Sequence, residues 1–205
     1  MFASSVIIDD IETMRESGLA LLAMYYYDFR EDQKKDLRGL LASMLYQLYD
    51  QFDSYYDIFS TFYSKHHRGA QKSPSDNDLI WCLMDLLKCP RSPPVYLIID
   101  GLDECPSTST QPSPREQVLS LLEDLVEAQL PNLRICVTSR PEVDIETILE
   151  PLTFCSVSLH DESGQKEDIK KYIASFVDTN RKMKNWNSEY KRLVIDVLTE
   201  KADGM

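Results

Sequence analysis

The sequence is short of glycine, with only 6 in 205 residues. A phosphate loop of the form G-x-x-x-x-G-K-[ST] needs two glycines and a lysine at fixed spacing. No glycine in this chain is directly followed by lysine, so that motif is absent. Any turn that depends on glycine must use one of these positions: Gly18, Gly39, Gly69, Gly101, Gly164 and Gly204.

Basic residues and long apolar runs are also scarce. The chain has 22 Lys and Arg against 34 Asp and Glu, a net charge of −12. This balance excludes a nucleic-acid binder, which needs a basic face to neutralise phosphates. No apolar run reaches the roughly 18–20 residues that cross a bilayer, and the N-terminal residues lack the basic region of a signal peptide. We therefore expect a cytoplasmic protein without membrane insertion.

Cysteine and histidine offer little for catalysis or metal binding. The five cysteines are odd in number and include no C-x-x-C pair, so we expect reduced and mostly buried thiols. They are Cys82, Cys89, Cys105, Cys136 and Cys155. Only three histidines exist, and the pair His66-His67 has no acidic or thiol ligand at metal-site spacing.

Apolar runs alternate with helical patterns along the chain. Continuous apolar runs predict buried strands at 19–29, 95–100, 133–138 and 154–159. Apolar residues at helical spacing predict helices at 4–16, 36–52, 54–66, 76–88, 115–129, 143–149, 165–180 and 188–202. Ser75 and Asp78 resemble a capping box, and Trp81 is expected to face the core. The alternation predicts an α/β fold with a parallel sheet and helices on both faces.

Two polar clusters follow predicted strands. One is Asp100-Gly101-Leu102-Asp103-Glu104, and the other is Thr138-Ser139-Arg140. In an open α/β sheet, ligands bind at the carboxyl ends of the strands. An acid that ends a buried strand is costly without a cation, and Mg²⁺ prefers carboxylate oxygens. A second acid could orient water for attack on a phosphate, and an arginine could bind the phosphate charge. The pattern indicates a nucleotide site, although acids in such a loop can also be merely solvated.

These residues resemble a known family. The segment 95–105 looks like the Walker B segment of NACHT-type NTPases, which belong to the STAND class of P-loop signalling ATPases. The segment 133–141 is similar to the family's next strand, whose terminal Arg senses the γ-phosphate. The Tyr-rich strand that ends at Asp28-Phe29-Arg30 resembles the strand before Walker B. The pattern is closest to the nephrocystin-like N-terminal module of fungal multidomain proteins, and the resemblance covers essentially the whole chain.

The resemblance implies a P-loop NTPase-like, three-layer αβα fold and a role for each matching residue. Asp100 would hold Mg²⁺. Asp103 or Glu104 would polarise the attacking water, with Glu104 favoured. Arg140 would read the γ-phosphate of ATP or GTP. The residues lining the site would be Thr138 and Ser139.

The chain departs from this family by lacking the phosphate loop, Walker A, and the first strand of the sheet. We therefore expect it to begin just after that loop. Segments 19–29, 95–100 and 133–138 can still pair, whereas 154–159 would be displaced or shifted into the gap. Since Arg140 is the only cation in the matching motifs, we expect very weak or no binding of Mg-nucleotide.

Three functional hypotheses stay open at this point. Residues 1–160 would form a truncated NACHT-like core, and 161–205 would start the following helical region. The chain would then be a regulatory fragment with little or no nucleotide hydrolysis. Alternatively, it is a non-catalytic protein–protein interaction domain that retains the NTPase fold, or an NTPase whose phosphate loop comes from another chain. Expected partners are other proteins or a second copy of the chain, because an uncovered sheet edge favours association.

Overall fold

The computed structural model describes residues 2–28, 36–67, 73–108, 111–158 and 163–201. The chain forms two compact units, residues 1–153 and 154–205. The first unit is built on a three-stranded sheet, and the second contains two helices.

All three strands of the sheet run parallel. They are β1 (Leu21–Tyr26), β2 (Val95–Asp100) and β3 (Leu133–Val137), in the spatial order β1-β2-β3. Leu21 pairs with Val95, which pairs with Leu133. The predicted side-by-side arrangement is confirmed, but β1 is shorter than the predicted 19–29. Leu19 belongs instead to the turn that ends the first helix, where its N–H donates to the carbonyl of Met14.

The helices lie close to their predicted positions. In the first unit they are α1 (Phe2–Glu16), α2 (Leu37–Leu48), α3 (Asp53–His67), α4 (Asp76–Leu87), α5 (Pro114–Glu127) and α6 (Val143–Leu149). In the second they are α7 (Ser163–Thr179) and α8 (Ser188–Lys201). The predicted capping box is confirmed: Asp78 accepts from the backbone N–H of Ser75, whose hydroxyl accepts from the N–H of Asp78.

Helices cover both faces of the sheet, because alternate strand residues on each face are apolar. Helices α2 to α6 contribute to the larger core, which includes Ala23 and Leu97 of the sheet. On the other face, α1 packs Ile8 and Ile11 against Leu22 and other sheet residues. The α/β, three-layer αβα fold is therefore confirmed.

The two edges of the sheet differ. The side-chain amides of Gln47, in α2, and Gln51, in the following turn, hydrogen-bond to the backbone of β1 as a neighbouring strand would. Gln47 accepts from Met24 N–H at 3.0 Å and donates to Met24 C=O at 2.7 Å. Gln51 does the same for Leu22, at 2.9 and 2.7 Å. The outward-facing backbone groups of Leu22 and Met24 are thus satisfied.

The β3 edge has no such cover within the described ranges. Val95 N–H donates to Asn132 C=O and Thr138 N–H donates to Ile99 C=O, so the even-numbered residues of β3 face β2. Ile135 and Val137 consequently direct their N–H and C=O outward. Among the described residues of the first unit, these groups have no hydrogen-bond partner.

Two sequence-based predictions are wrong. Residues 154–158 form no strand, and Leu159 lies outside the described residues. An apolar run becomes a strand only where a neighbour accepts its backbone hydrogen bonds, and here Phe154 and Val157 are exposed instead. Trp81 is 69% exposed, because it lies on the face of α4 opposite Cys82 and Leu83.

The second unit is held by contacts between α7 and α8. Val177 and Thr199 are buried, and Lys191 pairs with Asp178 at 2.7 Å. Trp186, in the turns between α7 and α8, is 41% exposed. Among the described helices of the whole chain, none is both long and apolar enough to cross a membrane.

Candidate functional site

The carboxyl ends of β2 and β3 bring Asp100 and Thr138 together. Asp100 is the last residue of β2, and Thr138 directly follows β3. The Thr138 hydroxyl donates to Asp100 Oδ1 at 2.6 Å and accepts from the N–H of Gly101 at 3.1 Å. The hydroxyl therefore fixes both the carboxylate and the first peptide of the loop. We call residues 100–104 the acidic loop and residues 138–140 the β3 loop.

Gly101 makes the sharp turn of the acidic loop possible. Its φ of 72° and ψ of 42° lie in the left-handed region, where a Cβ is unfavourable. The chain then enters a 3-10 turn, Leu102–Glu104. Leu102 is buried under this turn and its N–H donates to the carbonyl of Thr138 at 3.0 Å. The turn thus holds the side chain of Asp103 next to the β3 loop.

Asp103 and Arg140 form the second link between the loops. Asp103 Oδ1 accepts from the backbone N–H of Arg140 at 3.0 Å, and its Oδ2 lies 3.4 Å from Arg140 Nε. The Asp103 side chain is only 9% exposed, whereas that of Arg140 is 81% exposed. In this arrangement the Asp103 carboxylate is engaged by Arg140 and orients the base of the Arg140 side chain.

The remaining site residues have different surroundings. Glu104 is half-buried, and its side chain lies close to Gly101. The Ser139 hydroxyl donates to the carbonyl of Arg140 at 2.8 Å and is turned toward its own loop. Five predicted residues thus surround the two strand ends, while Ser139 directs its hydroxyl to the backbone.

The site is negatively charged, with three carboxylates in the acidic loop and one guanidinium in the β3 loop. Burial, and then the charge of Asp100, raise the pKa of the neighbouring Tyr26 hydroxyl. The same two causes raise the pKa of the Cys136 thiol. A site that disfavours further negative charge attracts a cation more readily than a free anion.

The donor set fits a magnesium ligand and does not form a phosphate cradle. Among the described residues, no group of three or more His, Cys, Asp or Glu could hold a metal ion alone. One carboxylate, Asp100, suits Mg²⁺ when water and phosphate complete its coordination. A phosphate cradle needs several unengaged N–H groups. Here the N–H groups of Gly101, Leu102 and Glu104 all donate within the two loops.

Sequence reasoning missed Arg115. This residue occupies the first turn of α5, yet its side chain is only 7% exposed and contacts the acidic loop. Burial lowers the pKa of the Arg115 guanidinium, but hydrogen bonds to Glu142 and Asp144 outweigh it and the pKa is raised. One signal was available, because a basic residue in a first helical turn opposes the helix dipole.

Comparison with known proteins assigns the chain to a family. A family model described as "Nephrocystin 3, N-terminal" matches residues 1–140. No curated protein and no solved structure matches the chain. The matched region spans more than half of the sequence, includes all three strands and the acidic loop, and ends at Arg140. The chain therefore belongs to the nephrocystin 3 N-terminal family.

Proposed function

We propose that this protein is a NACHT-like regulatory module of the STAND class, with little or no nucleotide hydrolysis of its own. The observation that supports this is the link between neighbouring strand ends, where Thr138 donates to Asp100 at 2.6 Å beside the Asp103–Arg140 pair. Such convergence of an acid and an arginine on one edge of a parallel sheet is where α/β proteins bind nucleotides.

In this proposal each residue has a distinct task. Asp100 would hold Mg²⁺, which supplies neutralisation of phosphate charge when bound. Thr138 occupies Oδ1 of Asp100, so Oδ2 is the oxygen left for a metal or its water. Glu104 would hold the proton of an attacking water, and Arg140 would bind the terminal phosphate of ATP or GTP.

The same geometry supports weak binding. Arg140 contacts Asp103, so an incoming phosphate must compete with a carboxylate that already holds the arginine. The N–H groups of the acidic loop are used internally. Without a phosphate cradle, the metal and one arginine carry the whole interaction. We therefore expect a dissociation constant for Mg-ATP weaker than about 1 mM, close to −4 kcal/mol.

The test uses Mn²⁺ as a paramagnetic substitute for Mg²⁺. At millimolar Mn²⁺, NMR signals of Gly101 and Thr138 should broaden before those of distant residues. The variant Asp100→Asn should lose this effect, whereas Asp85→Asn, which changes an exposed acid on α4, should keep it. Absence of selective broadening in the unmodified chain would contradict the metal role of Asp100.

Titration calorimetry with Mg-ATP and Mg-GTP tests the nucleotide part of the proposal. We expect heats too weak to fit below the millimolar range and no phosphate release. Micromolar binding, together with turnover that disappears in Glu104→Gln, would instead identify a working NTPase and overturn the proposal.

A second candidate is a non-catalytic interaction domain, and the open β3 edge favours it. An edge strand with unpaired N–H and C=O groups is a template for another strand. Within the described part of the first unit, Ile135 and Val137 present such groups, whereas Gln47 and Gln51 occupy those of Met24 and Leu22 on the β1 edge.

Sedimentation velocity over a range of concentrations tests this second candidate. We expect reversible association of the unmodified chain that is suppressed by Ile135→Pro, since proline fills an edge position without offering an N–H. Ile135→Val is the control that keeps the backbone donor. A chain that sediments as a monomer at every concentration, unchanged by Ile135→Pro, would exclude self-association through this edge.

A further inference from the structure

A buried arginine lies beneath the candidate site. Arg115 is the second residue of α5, and its side chain is 7% exposed. A guanidinium is charged at every physiological pH, so its burial is unfavourable unless each side of the group is paired. The contacts of Arg115 therefore show which groups compensate for the burial of its charge.

Arg115 joins two segments that are far apart in the sequence. Its Nε donates to the carbonyl of Cys105 at 2.9 Å, and its Nη2 donates to the carbonyl of Asp103 at 2.6 Å. Its Nη1 donates to the carboxylate of Glu142 and, at 3.1 Å, to Oδ2 of Asp144. One side chain thus connects the end of the acidic loop to the start of α6.

The same two segments meet a second time through Asp103 and Arg140. Arg115 binds the backbone of Asp103, while Arg140 binds its side chain. Asp103 is therefore held from both directions. A lysine could not replace this arrangement, because a single ammonium lacks the planar fork that reaches two carbonyls and two carboxylates at once.

We propose that Arg115 is a positioning residue that fixes the acidic loop against the segment after β3, so that Asp103 can hold Arg140. Its importance for a ligand rests on the proposed function, because Arg140 is the group that would meet the phosphate. Its effect on geometry is independent of any ligand. The position of Arg140 therefore depends on a residue that contacts neither the ligand nor Arg140 itself.

Amide hydrogen exchange, followed by NMR in the full chain, tests this role through Arg115→Lys. This variant keeps the charge and is expected to fold. Exchange should accelerate at the N–H of Arg140 and of Leu102 by about tenfold, the loss expected for a charge-assisted hydrogen-bond network. The N–H groups of Leu22 and Met24, which donate to Gln51 and Gln47, should not change.

A matched control is available on α2. Arg38 also pairs with an acid, Asp76 at 2.7 Å, and with a carbonyl, that of Pro74 at 2.9 Å, but its side chain is 44% exposed. Arg38→Lys should leave exchange at Arg140 unchanged. If Arg115 had only a general structural role, Arg115→Lys would accelerate exchange at Leu22 and Met24 in parallel with Arg140, and the proposal would be overturned.

A double-mutant cycle makes the test specific to the route through Asp103. In Asp103→Asn, the interaction between residue 103 and Arg140 is already weakened. Adding Arg115→Lys should therefore accelerate amide exchange at Arg140 little further. Fully additive effects would show that Arg115 does not act through Asp103. None of these measurements needs a metal or nucleotide, so failure of Mn²⁺ binding would overturn the proposed function while leaving this assignment intact.

Discussion

Three consecutive tyrosines at the end of β1 show how alternation along an extended chain places one residue type in two environments. Tyr25 is 4% exposed and Tyr27 just beyond the strand is 5% exposed, while Tyr26 between them is 42% exposed. The rings of Tyr25 and Tyr27 pack edge to face with centroids 4.9 Å apart. The rings of Tyr25 and Tyr27 are buried, as a buried strand predicts, but their hydroxyls are buried with them and do not lie at a rim. Tyr26, on the opposite face, contributes to the surface beside Asp100.

Buried thiols are among the groups through which alkaline pH should act on stability, together with Tyr27 and Tyr55, whose pKa values burial also raises. Burial, and then the charge of Asp85, raise the pKa of Cys82 from 9.0 to about 11. Burial is also the main cause that raises the pKa of Cys105 to about 11. A group whose pKa is higher in the folded state binds its proton more tightly there. Its contribution to stability is present below pH 9 and is lost as pH rises from 9 to 11.

We therefore predict that the free energy of unfolding decreases between pH 9 and 11, and that Cys82→Ala makes this decrease shallower. Urea denaturation at each pH measures the slope of the free energy of unfolding against pH. The slope is independent of any constant loss that the smaller side chain causes in the core. Cys155→Ala, at an exposed cysteine, is the control and should keep the original slope. An equal slope in Cys82→Ala would show that this thiol is not the titrating group.

Among secondary-structure elements, β1 and its two glutamines form a closed edge. The four hydrogen bonds to Leu22 and Met24 require an amide that both accepts and donates. Replacing either amide by a carboxylate keeps the shape of the side chain. It also places a carboxylate oxygen, which can only accept, against the backbone carbonyl of Met24 or Leu22. The chemistry of this edge is therefore testable without changing its packing.

We predict that Gln47→Glu and Gln51→Glu each lower the free energy of unfolding at pH 7 by about 1–3 kcal/mol. A protonated carboxyl group donates and accepts like the amide, so its proton is bound more tightly in the folded state than in the unfolded chain. The deficit relative to the unmodified chain should therefore shrink as pH falls from 7 toward about 4.3, the ordinary pKa of glutamate, and stay small below that pH. Thermal or urea unfolding at pH 7 and pH 4 measures both effects. Gln111→Glu, at an exposed position before α5, should show neither. A deficit that is the same at both pH values would contradict this explanation.

At the scale of the whole molecule, the sequence predicts the fold well because its apolar patterns are long and regular. The three parallel strands, the capping box at Ser75 and the meeting of Asp100, Thr138 and Arg140 all follow from local pattern and the rule for strand ends. The family match over residues 1–140 agrees with the nephrocystin-like part of the resemblance.

The errors concern features that depend on distant neighbours. The run 154–159 has the composition of a strand, but composition does not supply a partner for its backbone. Arg115 looks like an ordinary helix-surface residue until Glu142 and the acidic loop are placed around it. Trp81 is as apolar as its neighbours, and only the packed face of α4 shows that it lies outside. Expectations for nucleotide, metal and partners remain predictions.

The closed edge of β1 also has a consequence for the order of events during synthesis. Gln47 and Gln51 leave the ribosome soon after β1, whereas Val95, the strand partner of Leu21, is made much later. The glutamines are therefore available to occupy one side of β1 while β2 does not yet exist. When β2 emerges, only the other side of β1 is left for it. The order of synthesis and the hydrogen bonds of Gln47 and Gln51 thus agree on the same side of β1 for β2.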